Sequence, residues 1–212
     1  MKASLDPKST DIKANSSSDT HFKNYFTVLG QILSQLDRKI LESQITFLKA
    51  LRQRQGRLFI LGVGGSAANA SHAVNDFRKL CGIEAYAPTD NVAELTARTN
   101  DDGWDSVFVE WLKTSHLSKQ DMLFIFSVGG GDEANKVSVN LVKALQYANT
   151  LSVDILGVVG RDGGATKRLG SQVLVIPPLD SHLVTPHAEA LQALVWHALV
   201  SHPELQNKPN KW

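Results

Sequence analysis

The sequence predicts an α/β fold: a three-layer, doubly wound, five-stranded parallel sheet with an N-terminal helical extension. Short, nearly continuous apolar runs alternate with stretches whose apolar residues recur at helical spacing, and two of these runs end in glycine-rich turns. Strands with continuous apolar sequence are typical of parallel sheets covered by helices on both faces. The chain has 212 residues, which is enough for one such domain with extensions.

The part of the chain before the first predicted strand divides in two. Residues 1–20 are rich in Ser, Asp, Lys and Asn and lack apolar periodicity, which predicts a disordered tail. Residues 21–55 have apolar residues at helical spacing, which predicts one or two helices that end at Gly56. We expect this helical segment to form an oligomer contact. The main domain is predicted over 56–203, followed by a tail over 204–212.

From Gly56 onward, strand and helix patterns alternate. The strands are predicted by short apolar runs at 57–62, 84–87, 122–127, 154–159 and 173–176. The helices are predicted by apolar residues three and four positions apart, at 66–80, 91–99, 105–116, 132–148, 165–169 and 185–201. Pro177 and Pro178 end the last strand, and Pro203 follows the last helix.

Composition narrows the functional class. The net charge of +1 gives no electrostatic reason to expect nucleic acid or an anionic membrane as a partner. Cys81 is the one cysteine, so no intrachain disulfide can form, and we expect a small buried packing residue there. Neither an apolar leader pattern nor an apolar run of membrane-spanning length is present, and we expect a cytoplasmic protein.

Both glycine-rich turns follow a predicted strand. The first glycine turn is Gly62-Val63-Gly64-Gly65-Ser66, and the second is Ser127-Val128-Gly129-Gly130-Gly131-Asp132. Glycines allow close backbone approach, and free N–H groups at a helix start favour an anion. Because the carboxyl ends of parallel strands meet at one edge of a sheet, the two turns predict a ligand site there. A dinucleotide site is a weaker alternative, since residues 62–67 also satisfy G-x-G-x-x-A and Glu84 follows at a suitable distance.

Two pairs of polar residues stand on predicted helices. His72 and Asp76 are four residues apart on one helix, and Glu189 and His197 are eight apart on the last helix. Such residues can build a zinc site or an acid/base pair, but spacing alone favours a surface or cap pair for His72 and Asp76 and a core position for His197. Nearby residues that spacing does not exclude are His187, Gln192 and His202.

From about residue 22 to residue 201 the chain resembles the sedoheptulose 7-phosphate (phosphoheptose) isomerases of the sugar-isomerase, or SIS, fold. The matching segments, in order, are 62–76, 100–103, 127–132, 160–164 and 185–197. The resemblance implies an enzyme that interconverts a ketoheptose 7-phosphate and an aldoheptose 7-phosphate through an enediol. It also implies one zinc ion per site and a homotetramer whose sites lie at subunit interfaces.

The resemblance assigns roles to individual residues. It implies the zinc ligands His72, Asp76, Glu189 and His197. It implies substrate contacts from Gly64, Gly65, Ser66, Asn100, Asp101, Ser127, Gly129, Gly130, Asp132 and Glu189. Catalytic acid/base roles fall to His197, Asp76 and Glu189.

The chain departs from the family pattern at several of these positions. The family has Asn where Val63 stands, Glu where Asp76 stands and Gln where Glu189 stands, and its phosphate loop is rich in hydroxyl side chains. Asp132 in that loop would repel a phosphate. Either the loop amides carry the phosphate while Asp132 turns away, or the phosphate lies elsewhere, or the sugar has none there. A non-catalytic SIS protein that binds a sugar phosphate or a protein partner is the alternative function.

Overall fold

The structure, a computed structural model, describes residues 8–209, with side chains from Asp19 onward. Its five parallel strands lie in the order β2-β1-β3-β4-β5. They are β1 Leu58–Leu61, β2 Ala85–Tyr86, β3 Met122–Ser127, β4 Asp154–Val159 and β5 Gln172–Val175. The strand order reverses direction between β1 and β3, and the two glycine turns follow these two strands. This is the place where open α/β sheets bind ligands.

Helices cover both faces of the sheet. They are α1 Lys8–Gln35, α2 Arg38–Gln53, α3 Gly65–Cys81, α4 Val92–Asp102, α5 Val107–Thr114, α6 Val139–Thr150, α7 Gly164–Leu169 and α8 Val184–Val200. Alternate strand residues point to opposite faces: Ile60 and Phe124 pack beneath α2, α3 and α8, whereas Phe59 and Leu123 pack beneath α5 and α6. The predicted three-layer fold is confirmed. No helix among residues 8–209 is long and apolar enough to cross a bilayer.

The N-terminal segment differs from the prediction. Helix α1 begins at Lys8, so residues 8–20 are helical rather than a disordered tail, and residues 1–7 lie outside the described part. No proline or glycine interrupts the chain between Lys8 and Gly30, so nothing in the backbone stops the amphipathic helix from extending backward. Asp37 then starts α2 by accepting hydrogen bonds from the N–H groups of Lys39 and Ile40.

Helix α6 begins at Val139, seven residues after the predicted start at Asp132. Residues 132–137 instead form a tight turn, closed by an antiparallel bridge between Asp132 and Val137. Lys136 and Ser138 both have positive φ angles, which an α-helix excludes. The predicted start of this helix at Asp132 was therefore wrong.

The segment predicted as a C-terminal tail is fixed to the domain as far as residue 209. Leu205 is fully buried, and the Arg52 guanidinium of α2 donates hydrogen bonds to the carbonyl oxygens of Glu204 and Leu205 at 2.9 and 2.6 Å.

Cys81 at the end of α3 is also buried, and desolvation raises the pKa of its thiol to about 12. The thiol is therefore protonated at neutral pH, as expected for a packing residue.

Asp121 joins the starts of β1 and β3. Its carboxylate accepts hydrogen bonds from the Arg57 guanidinium at 2.8 and 3.0 Å and from the backbone N–H of Ser118 at 2.9 Å. Burial alone would raise the pKa of Asp121, but these hydrogen bonds outweigh it, so the pKa lies below its usual range. The carboxylate therefore stabilises the fold in its ionised form.

We expect Asp121→Asn to lower the free energy of unfolding at pH 7 by about 2 kcal/mol, because charged hydrogen bonds are lost. The native pKa of Asp121 is depressed, so its contribution is complete above the unfolded value of about 3.9 and disappears as the pH falls through the native pKa. Urea unfolding of wild type and variant at pH 7 and at pH 3 measures the free energy of unfolding at each pH. A difference between variant and wild type that persists unchanged at pH 3 would contradict this role.

Candidate active site

Helices α3 and α8 lie side by side and run in the same direction. The Asn69 side chain of α3 donates hydrogen bonds to the backbone carbonyl of Glu189 at 2.9 Å and to Gln192 Oε1 at 3.1 Å. At the far end, the Cys81 thiol lies 3.6 Å from the carbonyl oxygen of Val200. Residues more than 100 positions apart in sequence therefore meet along one seam.

His72, Asp76 and His197 converge on this seam and form what we term the His–Asp–His group. One possible ligand atom from each residue lies within 4.8 Å of the others, and the two imidazole centroids are 5.5 Å apart. Asp76 is buried and accepts a hydrogen bond from Asn75 Nδ2 at 2.7 Å. Spacing alone favoured a surface pair and a core histidine, but the structure brings these three residues together, with both histidines exposed.

The donor chemistry of this group fits zinc. His197 Nδ1 lies 2.8 Å from the carbonyl oxygen of Ala193; because a carbonyl can only accept, Nδ1 carries the proton and Nε2 is left as the ligand atom. A hydrogen bond from the other ring nitrogen to a carbonyl oxygen fixes the tautomer of metal-binding histidines. Two imidazoles and one carboxylate form a three-ligand set, which is the pattern of catalytic zinc sites with an open position.

Glu189, the fourth residue implied by the resemblance, lies outside this group. Its half-buried carboxylate lies over the first glycine turn, where a Cβ built on Gly65 would be 2.5 Å from Glu189 Oε2. A side chain at position 65 would therefore collide with Glu189. Among residues 8–209 the Glu189 carboxylate has no hydrogen-bond or ion-pair partner.

The other sequence candidates on α8 and beyond have structural roles. His187 is buried and its Nε2 lies 3.1 Å from the carbonyl oxygen of Tyr25, which ties α8 to α1. Gln192 is buried against Asn69. His202 accepts a hydrogen bond from the N–H of Glu204 at its Nδ1.

A cavity of about 550 Å³ opens at the carboxyl ends of β1, β3 and β4. Ser66 from the first glycine turn lines it, and its hydroxyl oxygen is buried without a hydrogen-bond partner. Ser127 and Gly129 from the second glycine turn also line it. A buried hydroxyl without a partner costs free energy unless a ligand or water satisfies it, so Ser66 offers a hydrogen-bonding group to whatever occupies this cavity.

Gly130 does not line this cavity, although the resemblance implied a substrate contact. It has φ +72°, and its carbonyl oxygen accepts hydrogen bonds from the N–H and the hydroxyl of Thr166 at 2.9 and 2.8 Å. A Cβ at this position would collide with the backbone of Gly163. Gly130 therefore packs the second glycine turn against the start of α7.

Asp132 lines the cavity, but its carboxylate binds its own turn. It accepts hydrogen bonds from the backbone N–H of Asn135 at 3.1 Å and from Asn135 Nδ2 at 2.6 Å. The side-chain hydrogen bond from Asn135 is the main cause that lowers the pKa of Asp132. The sequence left open whether Asp132 points toward a phosphate or turns away from it. In the structure its carboxylate is hydrogen-bonded within its own turn.

Comparison with known proteins places the chain in a family. No protein-family model matches it. A phosphoheptose isomerase from Helicobacter pylori (strain P12) is 30% identical over 169 residues, which cover 76% of this chain and 81% of the relative. The chain belongs to the phosphoheptose isomerase family.

Solved structures from this family have the same fold. The phosphoheptose isomerase from Neisseria gonorrhoeae superposes with a TM-score of 0.73 at 24% identity, covering 88% of this chain and 97% of that one. The one from Francisella tularensis gives 0.72 at 18% identity, covering 87% and 95%. The resemblance read from the sequence is confirmed at the level of family and SIS fold.

Besides Gly130, five implied substrate residues of the phosphoheptose isomerase pattern do not line the cavity within this single chain: Gly64, Gly65, Asn100, Asp101 and Glu189. Asn100 and Asp101 end α4, are exposed, and hydrogen-bond each other at 2.8 Å.

Conversely, Arg161 and Arg168 line the cavity and were missed as candidates. Arg161 stands in the Arg161-Asp162-Gly163-Gly164 turn, which the sequence indicates only as a turn after a strand. The signal that could have identified Arg161 is a cationic residue just after the end of a predicted strand, at the edge of the sheet where ligands bind.

Proposed function

We propose that this chain is a zinc-dependent sugar-phosphate isomerase that converts sedoheptulose 7-phosphate into an aldoheptose 7-phosphate. Membership of the phosphoheptose isomerase family supports the substrate class. The observation that carries the proposal is the His–Asp–His group on α3 and α8, close to a cavity built from two glycine turns. A non-catalytic sugar-phosphate sensor would have no use for these three ligands.

The His–Asp–His group would hold the zinc, and the zinc would polarise the sugar oxygens and stabilise negative charge that develops on them. Ser66 and His72 are six residues apart on α3, which corresponds to about 9 Å along the helix axis. The cavity would therefore hold the phosphate end of the sugar, and the carbonyl end would extend toward the His–Asp–His group. This separation favours a long sugar chain over a short one.

The remaining chemistry is movement of a proton between two adjacent carbons through an enediol. We assign this proton transfer to Glu189; because the family pattern has Gln at this position, the assignment is specific to this chain. Its carboxylate is half-buried, has no partner among residues 8–209, and lies over the first glycine turn. His197 is a poorer base, because its Nδ1 is occupied by Ala193 and its Nε2 belongs to the His–Asp–His group.

We also propose that the sites lie at subunit interfaces of a cytoplasmic homotetramer. His72 and His197 are exposed in the single chain, which supports closure of the site by another subunit. The exposed Asn100 and Asp101 would then contact substrate across the interface. Phe22 and Phe26, which are exposed on α1, are suited to the oligomer contact predicted for this helical segment.

The proposal is tested by incubating purified, zinc-loaded protein with sedoheptulose 7-phosphate and following the aldoheptose product by NMR. We expect turnover that chelator treatment removes and added zinc restores. Turnover that is unchanged after complete metal removal would contradict the zinc role. Tight binding of the sugar phosphate without turnover, with zinc present, would favour the non-catalytic alternative.

A further inference from the structure

Arg161 occupies an unusual backbone position at the cavity. It follows β4 and has φ +53°, in the left-handed region that non-glycine residues rarely adopt. Glycines follow at positions 163 and 164, yet position 161 carries a long cationic side chain. Other non-glycine turn residues of the described chain, such as Lys136 and Ser138, share this conformation, so the contacts of the side chain decide its role.

The side chain of Arg161 lies over the second glycine turn. A Cβ built on Gly129 would be 3.5 Å from Arg161 Cδ and 3.9 Å from its Nε, so the guanidinium stem passes directly above that residue. Among residues 8–209 the guanidinium has no hydrogen-bond or ion-pair partner. It is therefore available to an anion at the loop.

The charged residues of the cavity leave one guanidinium, that of Arg161, without a partner. Arg161 and Arg168 are the cations that line the cavity, and Asp132 and Asp162 are the carboxylates. Asp132 accepts hydrogen bonds from Asn135 and also interacts electrostatically with Arg168, and Asp162 accepts a hydrogen bond from the backbone N–H of Gly164 at 3.1 Å. Both carboxylates are therefore engaged by groups other than Arg161.

The second glycine turn has few side chains of its own to hold a phosphate. Ser127 supplies its one hydroxyl, and that oxygen already accepts a hydrogen bond from the N–H of Gly130 at 2.9 Å. A guanidinium presents several N–H donors in a planar fork that matches the geometry of phosphate oxygens. Arg161 can therefore supply donors that the loop lacks.

We propose that Arg161 binds the phosphate group of the substrate and takes the place of the hydroxyl side chains missing from the second glycine turn. The identity of the sugar rests on the proposed function, whereas the binding of a phosphate by Arg161 does not. Arg161 thus determines specificity for phosphorylated over free sugars. It has no part in the proton transfer assigned to Glu189.

The first test measures binding of inorganic phosphate by calorimetry, without turnover. Arg161→Asn removes the charge but keeps a residue that tolerates the left-handed region, so folding is preserved and is checked by thermal unfolding. We expect phosphate to bind about 10- to 100-fold more weakly. Arg161→Lys should retain part of the affinity. Lys167→Ala, which removes one cation from α7 outside the cavity lining, should bind phosphate like the wild type.

The second test compares turnover of sedoheptulose 7-phosphate. In Arg161→Asn we expect KM to rise about 10- to 100-fold with little change in kcat. If the wild type is inactive but phosphate binding still depends on Arg161, the proposed function fails and the present inference stands. If Arg161→Asn matches the wild type in phosphate affinity and in KM, or if the wild type does not bind phosphate, the inference is overturned.

Discussion

His197→Ala is expected to empty the His–Asp–His group of zinc and to lower kcat/KM more than about 100-fold, since even outer-shell changes at metal sites cost 10- to 100-fold. A ring nitrogen of His197 is one of three converging ligand atoms. The remaining two residues would form an incomplete set for zinc. His72→Ala should have the same effect, because it removes the other imidazole of the group.

Zinc content by elemental analysis and turnover are measured together on the purified variants. His182→Ala, which removes an exposed histidine outside the group, serves as the matched control and should retain both zinc and activity. A His197→Ala protein that keeps one zinc per chain would show that the metal lies elsewhere. A variant that loses zinc but keeps full turnover would show that the reaction does not need the metal.

Glu189→Gln introduces the residue that the family pattern has at this position, and because we assign the proton transfer to Glu189 in this chain, we expect kcat to fall by about 100- to 10,000-fold, the usual range for loss of a general acid/base. The amide has nearly the same shape as the carboxylate, so the close packing over Gly65 should be preserved. Because Glu189 lies outside the His–Asp–His group, zinc content should not change. Loss of activity with full metal content is the result that distinguishes a proton carrier from a ligand.

Glu42→Gln removes an exposed carboxylate on α2 and is the matched control. Substrate affinity measured by calorimetry should change little in Glu189→Gln, because the phosphate end of the sugar is held in the cavity. If Glu189→Gln turns over substrate at the wild-type rate, the proton transfer belongs to another group, and Asp76 is the next carboxylate to test. If it loses zinc instead, Glu189 is a ligand after all.

Strand positions were read from the sequence with little error. The strands at 122–127 and 154–159 were predicted with the bounds that the structure has. A strand buried on both faces must be apolar along its whole length, so its ends coincide with the ends of the apolar run. The glycine turns could be placed for the same reason, since each begins where a buried strand stops.

Helix starts were less certain, because the signals that mark them also mark turns. Asp132 is a good cap residue, yet it forms an isolated turn with Asn135, and α6 begins at Val139. The positive φ of Lys136 and Ser138 has no clear signature in the sequence. The helix over residues 8–20 was not predicted, because the polar composition of this segment was taken to indicate disorder. The absence of proline and glycine from it was not considered.

Local sequence patterns were enough to give the order of strands and helices, the two glycine turns, and the residue types able to bind zinc. Which of these residues meet depends on tertiary packing. The pairing of α3 with α8 brings His72 and Asp76 to His197, while Glu189, about two helical turns before His197, lies over Gly65 and is free for another role. Sequence spacing fixes positions along one helix, but the register between two helices depends on how their side chains pack.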